Sequence, residues 1–169
     1  MRNLELKARC ADLETAEQVA QRLGATFAGE WRQADTYFCV PYSRLKLREV
    51  GDDTAELIGY ERPESDATRW SQYEIAPVAD SRALLSILAK ALGVRVRVEK
   101  SRRIYLYRGA RIHLDRVASL GSFVEFEVPC NDGDERLARE IMRELSEAFG
   151  WHADDALRAS YADLLENRP

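Results

Sequence analysis

Charged residues on one face of several predicted strands constrain this chain more than any other sequence feature. In residues 44–50, Leu45 and Leu47 alternate with Lys46 and Arg48, so apolar and basic side chains fall on opposite faces of a strand. The same alternation gathers ionisable residues on one face of three further segments, which hold Glu5 with Lys7, Arg111 with His113 and Asp115, and Glu125 with Glu127. Strands that concentrate acids in some places and bases in others suit a polyanion bound together with its metal ions, because hard cations prefer carboxylates and phosphates prefer Lys and Arg.

An interpretation without a ligand is also open at this point. A single pair such as Lys46 and Arg48 is more often solvated surface, and the opposite apolar face could belong to a sheet packed under helices. Lys100 and Arg102 add a difficulty, because they share strand parity with a run of valines that includes Val98. Either a β-bulge re-aims these two bases or they are ordinary surface residues, and parity alone does not choose between the two.

The rest of the chain follows strand and helix patterns without repeats, low-complexity tracts or linkers. Period-two alternation predicts strands at residues 3–9, 35–40, 44–50, 55–61, 70–76, 94–107 (one bulged strand or two), 111–117 and 122–129. Helical periodicity between capping residues predicts helices at 13–23, 81–92, about 134–149 and about 154–166, and a polar loop is expected at 64–69. These elements predict one α+β domain over residues 1–169, with mostly antiparallel strands and with helices outside.

Composition excludes several classes of protein. The chain has 169 residues, 46% of them hydrophobic and 32% charged, which is typical of a folded globular protein and not of a disordered one. Its formal net charge of −4 disfavours sequence-blind binding to nucleic acid. The three cysteines, Cys10, Cys39 and Cys130, have no spacing motif and fit reduced thiols in a cytoplasmic protein. The charged first residues do not form a secretory signal, and no apolar run approaches the ~20 residues needed to span a bilayer.

Seven short motifs follow one another along nearly the whole chain. They are Asn3-Leu4-Glu5-Leu6-Lys7, Asp35-Thr36-Tyr37-Phe38, Leu45-Lys46-Leu47-Arg48, Tyr73-Glu74, Lys100-Ser101-Arg102, His113-Leu114-Asp115, and the run 120–127 that ends in Glu125-Phe126-Glu127. This series resembles the CYTH domain, also called the triphosphate tunnel metalloenzyme family, which includes class IV adenylate cyclases, thiamine triphosphatases and inorganic triphosphatases. The resemblance implies a closed tunnel of eight antiparallel strands, with charged side chains inside and with helices packed over apolar side chains outside.

The resemblance also implies the roles of individual residues. A metal ion, Mg²⁺ or Mn²⁺, is expected on Glu5, Asp115, Glu125 and Glu127. The triphosphate is expected on Lys7, Lys46, Arg48, Lys100 and Arg102. Catalytic roles are expected for Glu5, Lys7 and Glu127, and supporting roles for Asn3 and Glu74. We expect His113 to be a hydrogen-bonded residue of the tunnel wall. Tyr161 either closes the tunnel mouth or makes an ordinary core contact, and we expect the core contact.

The chain departs from the family pattern at two positions. Asn3 stands where the family has the first glutamate of its opening motif, so one metal position loses a negative charge. Glu61 stands where the family often has a lysine, and the neighbouring Arg62 points to the other face of a regular strand. One metal contact and one phosphate contact are therefore expected to be weakened.

Three functions fit these observations. Adenylyl cyclisation, which converts ATP to cyclic AMP and pyrophosphate, comes first because overall length and the opening residues 2–7 look most like class IV cyclases. The second is hydrolysis of thiamine triphosphate, a nucleoside triphosphate or inorganic tripolyphosphate. The third is a non-catalytic module that binds a nucleotide or polyphosphate. The expected partner is a small-molecule triphosphate in the cytoplasm, with no nucleic-acid polymer and no membrane, and a homodimer is an open alternative.

Overall fold

The chain folds into a β-sheet that closes on itself. The structure is a computed structural model that describes residues 2–51, 54–61, 69–130 and 134–168. Its strands are β1 (Arg2–Arg9), β2 (Thr26–Phe38), β3 (Arg44–Val50), β4 (Thr54–Glu61), β5 (Arg69–Val78), β6 (Val94–Tyr107), β7 (Ala110–Val117) and β8 (Gly121–Cys130). Neighbours pair in the order β1-β5-β4-β3-β2-β6-β7-β8, and β8 pairs with β1. Every pairing is antiparallel, so the predicted eight-stranded barrel is confirmed.

Four α-helices lie around this barrel in the described part of the chain: α1 (Leu13–Arg22), α2 (Ser81–Leu92), α3 (Glu135–Ala148) and α4 (Tyr161–Glu166). The first begins after Asp12, whose carboxylate accepts hydrogen bonds from the backbone N–H groups of Glu14 and Thr15. The second begins after Asp80, which caps Ala83 in the same way. No helix of the described residues is both long and apolar enough to cross a membrane.

The barrel inverts the usual arrangement of a half-buried sheet. On β1, Leu4 and Leu6 are buried outside the barrel in an apolar core that also includes Leu13 of α1 and Leu145 of α3. The alternate β1 residues, which include Lys7, line the interior of the barrel. Strand periodicity therefore sends every second residue into the barrel while helices cover the apolar outer face.

Strand β2 is longer than the alternation predicted. It starts at Thr26 and not near Asp35, and residues 26–32 are exposed or half-buried. Because neither face of this segment is buried, its sequence has no need of the apolar alternation by which strands are recognised. Of the expected polar loop, residues 64–68 lie outside the described residues, as does Arg62, and Arg69 begins β5.

Strand β6 is continuous, and this settles the position of its basic residues. The register between β2 and β6 shifts near each end but runs evenly from Val96 to Ile104. Lys100 and Arg102 therefore face the interior together with Val98 and Ile104, without a bulge between them. The inward face of β6 therefore holds both basic and apolar side chains, with the apolar residues on either side of the bases.

The C-terminal segment differs most from its prediction. The helix expected at about 154–166 is a 3₁₀ turn at Ala153–Asp155 followed by the shorter α4. Between them, the backbone N–H of Leu157 donates a 2.7 Å hydrogen bond to the carbonyl of Lys7, which ties the segment to β1. Ser160 and Asp163 then form a capping box that starts α4. Tyr161 packs against Val98 and Phe123, so α4 closes one end of the barrel.

Candidate active site

A cavity of about 270 Å³ lies inside the barrel. All eight strands contribute inward-facing residues to it, and Ser160 and Tyr161 line it at the end covered by α4. The site residues expected from the sequence that line this cavity are Asn3, Glu5, Lys7, Lys46, Arg48, Lys100, Arg102, Glu125 and Glu127. The barrel therefore brings side chains that are far apart in sequence together in one cavity.

The charge of the cavity differs from that of the whole chain. Its lining includes the basic residues Lys7, Lys46, Arg48, Lys100, Arg102 and Arg111 and the acidic residues Glu5, Asp35, Glu125 and Glu127. Bases exceed acids there, although the chain as a whole carries a formal charge of −4. A basic excess in an enclosed space favours an anionic ligand.

The first group in the cavity is a basic cluster, formed by Lys46, Arg48 and Lys100 around the carboxylate of Asp35. Lys46 Nζ lies 3.0 Å and Lys100 Nζ 3.4 Å from Asp35 Oδ2, and Arg48 donates two hydrogen bonds to the same carboxylate. Burial alone would raise the pKa of Asp35, but the three cations outweigh it and hold that pKa well below its ordinary value. The cluster is charged and lies where a polyanion could be bound.

The lysines of the basic cluster are easier to deprotonate than ordinary lysines. Burial and then Arg48 lower the pKa of Lys46 to about 7, although Asp35 opposes the shift. Burial and then Arg102 lower the pKa of Lys100 to about 8. The positive charge of the cluster therefore depends on pH in the neutral range.

The second group is an acidic group, formed by Glu125, Glu127 and His113. One ligand atom from each of these residues lies within 4.8 Å of the others. His113 Nδ1 lies 3.7 Å from Glu125 Oε2 and 3.7 Å from Glu127 Oε1, and it is buried without a hydrogen-bond partner among the described residues. Burial and then Arg102 lower the pKa of His113, which favours the neutral imidazole that binds metals. The expected hydrogen bond of a wall histidine is thus absent at Nδ1 in the described structure.

This donor set fits a divalent metal ion. Two carboxylates and an unpartnered imidazole nitrogen converge, and an orphaned buried nitrogen is otherwise costly. Oxygen ligands suit Mg²⁺ and Mn²⁺, and an imidazole nitrogen favours Mn²⁺ of the two. The resemblance to the CYTH family implied the two carboxylates as metal ligands but left His113 out of the set.

Both carboxylates of the acidic group are paired with protein cations. Lys7 Nζ lies 3.2 Å from Glu125, which also accepts a hydrogen bond of 2.9 Å from Arg102. Arg111 donates two hydrogen bonds, of 3.0 and 2.8 Å, to Glu127. Arg111 is a site residue that sequence reasoning did not assign, although its shared face with His113 was visible in the alternation.

The resemblance implied that Asp115 binds the metal, but the structure places it outside the cavity lining. It is fully buried, and both of its oxygens accept hydrogen bonds from Arg102, at 2.7 and 2.6 Å. The Tyr161 hydroxyl donates a third hydrogen bond to it. In this arrangement Asp115 holds Arg102 in place.

The two remaining glutamates of the predicted site lie on opposite sides of the wall. Glu5 lines the cavity and accepts a hydrogen bond from Ser71. Glu74, expected to support the site, is exposed on the outer face of β5, because its neighbour Tyr73 has the inward parity. The structure does not bring Glu74 into the cavity.

Asn3 is buried at the cavity wall beside Tyr73 and Arg111. The Tyr73 hydroxyl lies 3.3 Å from Asn3 Oδ1. With the amide turned over, its oxygen accepts a 3.1 Å hydrogen bond from Arg111 and its nitrogen donates to the carbonyl of Arg2, which satisfies both amide atoms. A residue at position 3 therefore contacts the same arginine as Glu127.

One part of the cavity wall is not charged. Ile58 and Tyr60 on β4 and Tyr73 and Ile75 on β5 all line it. Apolar and aromatic side chains of this kind contact the organic part of a ligand more readily than its phosphates. The cavity therefore has a charged part and an apolar part.

The family model of the CYTH domain matches residues 1–160 of this chain. Together with the closed barrel and its charged interior, this match shows that the chain belongs to the CYTH family. Members of this family act on triphosphates and depend on metal ions. No curated protein matches the chain by sequence.

Solved structures share the fold at low sequence identity. A protein of Pyrococcus horikoshii OT3 is 23% identical with a TM-score of 0.86, over 96% of this chain and 98% of that one. A Vibrio parahaemolyticus protein named as a candidate adenylate cyclase is 22% identical with a TM-score of 0.78, over 97% of both chains. A Hippeastrum protein, named as a candidate adenylyl cyclase with a dominant triphosphatase activity, is 14% identical with a TM-score of 0.61, over 87% of this chain and 88% of that one.

Proposed function

We propose that this chain is a metal-dependent triphosphatase, which releases the terminal phosphate of a triphosphate held in the barrel. The observation that carries the proposal is the meeting of the basic cluster and the acidic group in one cavity of about 270 Å³. Bases alone would fit many anions, and acids alone would fit a metal. A triphosphate bound with a divalent cation uses both groups at once.

The position of the acidic group favours hydrolysis over cyclisation, which the sequence placed first. Glu125 pairs with Lys7, and Lys7 Nζ lies 4.0 Å from the ring centroid of Tyr161, at the end closed by α4. A triphosphate that enters from the opposite end presents its terminal phosphate to this region. The phosphorus atom that reacts is then the terminal one and not the one next to a ribose.

Charged side chains can perform the hydrolysis as follows. The oxygen of a water molecule bonds to the terminal phosphorus as the bond from that phosphorus to the bridging oxygen breaks, and the diphosphate takes the electron pair of that bond. Lys7 and Arg102 bind phosphoryl oxygens as negative charge moves toward the leaving group. Glu5, which pairs across strands with Glu127, accepts the proton of the water. A divalent metal ion held by Glu125, Glu127 and His113 would supply Lewis-acid activation of the phosphoryl group and of water.

Cyclisation of ATP is the second candidate, because the apolar part of the wall is able to hold a base or ribose. Tyr60 and Tyr73 present rings to the cavity beside Ile58 and Ile75. Inorganic tripolyphosphate would leave these side chains without a ligand contact. They support an organic triphosphate as substrate, and with ATP they keep the cyclase reaction in consideration.

The test is a product assay. Purified protein is incubated with ATP, thiamine triphosphate or tripolyphosphate, each with Mg²⁺ or Mn²⁺, and the products are resolved by ³¹P NMR. We expect orthophosphate that depends on metal and is lost in Glu127→Gln but not in Glu99→Gln, a change at an exposed glutamate of the outer face. Cyclic AMP with pyrophosphate would favour the cyclase, and binding without turnover would contradict both enzymes.

A further inference from the structure

Asp35 is the anionic centre of the basic cluster, and the proposed reaction has no step for it. It lies on β2, the strand between β3 and β6, and it is 1% exposed. Its carboxylate accepts hydrogen bonds from Lys46 and Arg48 of β3 and from Lys100 of β6. One buried carboxylate thus holds three cations that come from both neighbouring strands.

The cations need this carboxylate because they repel one another in a buried space. The groups that face Lys46 are Arg48 on its own strand, Asp35 and Tyr37 on β2, Lys100 on β6 and Tyr60 on β4. Among these, only Asp35 carries a negative charge near neutral pH. Removing one partner of a buried ion pair leaves an uncompensated charge, which is strongly unfavourable.

The contacts of Asp35 leave donors available on each cation. An ammonium group has three N–H donors and a guanidinium has five. Lys46 and Lys100 each use one donor on Asp35, and Arg48 uses two. The remaining donors of these residues, all of which line the cavity, are able to bind phosphate oxygens while Asp35 keeps its own contacts.

We propose that Asp35 is a positioning residue for triphosphate binding, which holds Lys46, Arg48 and Lys100 together and favours the protonated form of Lys46. The proposal rests on the proposed function, since it concerns the same cavity and the same triphosphate. Asp35 acts through the cations and contacts no phosphate itself. Its negative charge, and not only its shape, is therefore the property that matters.

A role for the negative charge of Asp35 and a purely structural role predict different results for Asp35→Asn. The amide keeps the shape but removes the negative charge, so the pKa of Lys46 falls further below its value of about 7 in the wild type, by ~1–3 units. Lys46 then loses its proton at a lower pH, and affinity for tripolyphosphate decreases from a lower pH than in the wild type. The ratio of the variant Kd to the wild-type Kd should rise on the order of tenfold between pH 5.5 and pH 8. A purely structural role gives a ratio that does not change with pH.

The matched control is Glu49→Gln. Glu49 is the next residue to Arg48 along β3, but it faces outward and pairs with Arg97. This change removes the same charge at almost the same point of the chain. We expect no pH-dependent change in its Kd relative to the wild type. Asp35→Glu keeps the negative charge and should restore most of the wild-type pH profile.

The experiment has two readouts in the full chain. Calorimetry with tripolyphosphate and Mg²⁺ from pH 5.5 to pH 8 measures affinity, and the wild type at each pH corrects for titration of the ligand. NMR titration of the lysine side chains in the protein without ligand, assigned with Lys46→Arg, measures the Lys46 midpoint directly. We expect this midpoint near 7 in the wild type and lower in Asp35→Asn.

The outcomes separate the two proposals. An unchanged Lys46 midpoint in Asp35→Asn, or a Kd ratio that is independent of pH, overturns the role of Asp35. A wild type that binds neither tripolyphosphate nor ATP at any pH overturns the proposed function, while the NMR titration still reports on Asp35. If Asp35→Asn does not fold, the Lys46 midpoints of Asp35→Glu and of the wild type serve as the test. A wild-type Lys46 midpoint at the ordinary lysine value of 10.5 would contradict the proposal.

Discussion

The hydroxyl group of Tyr161 donates a 2.8 Å hydrogen bond to Oδ2 of Asp115. Asp115 also accepts two hydrogen bonds from Arg102, which lines the cavity. One buried carboxylate therefore connects α4, which closes the barrel, to a base that we expect to bind phosphate. Burial and then Asp115 raise the pKa of Tyr161, so the phenol remains a donor throughout the physiological range.

Tyr161→Phe should destabilise the protein by about 1–2 kcal/mol, because Asp115 loses a buried donor while the ring contact with Phe123 remains. Urea unfolding of the wild type and the variant measures the difference. The control is Tyr107→Phe, whose hydroxyl makes a longer hydrogen bond of 3.3 Å to Glu144 near the surface and should matter less. Equal effects in the two variants would show that the Tyr161 hydroxyl does not anchor α4.

The stability contribution of Glu127 should depend on pH in the acid range. Burial would raise its pKa, but His113 and Arg111 outweigh burial and Glu125, and the pKa falls from the ordinary 4.5 to about 2. A lowered folded-state pKa means that the charged form stabilises the fold above pH 4.5, and that this contribution is lost as the pH falls through 2. Its size is about 3 kcal/mol at most, and less at pH 7, because the neutral form of His113 is favoured there and the side chain is partly exposed.

Urea unfolding of Glu127→Gln from pH 7 to pH 2 checks this prediction. The variant should be less stable than the wild type at pH 7, and the difference should shrink across the window from 4.5 to 2. The control is Glu99→Gln, which removes a carboxylate from an exposed ion pair with Arg97. A variant as stable as the wild type at pH 7 would mean that the ion pair between Glu127 and Arg111 does not stabilise the fold.

Alternation predicted much of this cavity, because a barrel wall obeys the same period of two as any strand. Glu125 and Glu127 share a face in the sequence, and the same face lines the cavity. Strand parity did not predict whether Lys100 and Arg102 face the interior, because valine and isoleucine occupy the same inward face of β6. A closed barrel has apolar interior positions near its ends, and alternation within one strand does not reveal depth along the barrel axis.

Contacts between distant parts of the chain were harder to predict. The shared carboxylate of Asp115 joins residues 102 and 161, and no local pattern encodes such a contact. The unpartnered nitrogen of His113 likewise depends on which atoms surround it in three dimensions. The Tyr73-Glu74 motif predicted that Glu74 lies in the site, whereas the register of β5 directs it outward.

Arg48→Ala should weaken triphosphate binding by ~10–100-fold, because a charge-assisted hydrogen bond to phosphate contributes about 1.5–3 kcal/mol. The comparison is Arg97→Ala, which removes a half-exposed arginine on the outer face and should leave affinity unchanged. Calorimetry with tripolyphosphate and with pyrophosphate in the presence of Mg²⁺ measures both. The wild type should bind pyrophosphate far more weakly, since a diphosphate reaches fewer bases, and equal affinities would contradict recognition of the third phosphate.

Asn3→Glu should lower the metal concentration needed for half-maximal activity. The added carboxylate lies on the same β1 face as Glu5 and close to Arg111, and it supplies a negative charge for a second metal position. An extra acid beside Glu5 also raises carboxylate pKa values when metal is absent. We therefore expect a less stable protein without metal and tighter metal binding.

A Mn²⁺ titration of Asn3→Glu, followed by electron paramagnetic resonance and by activity, tests this expectation. Asn3→Gln is the control, because it changes length without adding charge. Titration curves of Asn3→Glu and the wild type that superimpose would place position 3 outside the metal shell.

The most direct test of a metal and a triphosphate in one cavity is anomalous diffraction from crystals soaked with Mn²⁺ and tripolyphosphate. The account predicts a manganese peak within coordination distance of Glu125, Glu127 and His113. It also predicts phosphate oxygens within hydrogen-bond distance of Lys46, Arg48 and Lys100 in the same molecule. A manganese peak elsewhere on the protein, or a cavity without phosphate density at saturating ligand, would contradict it.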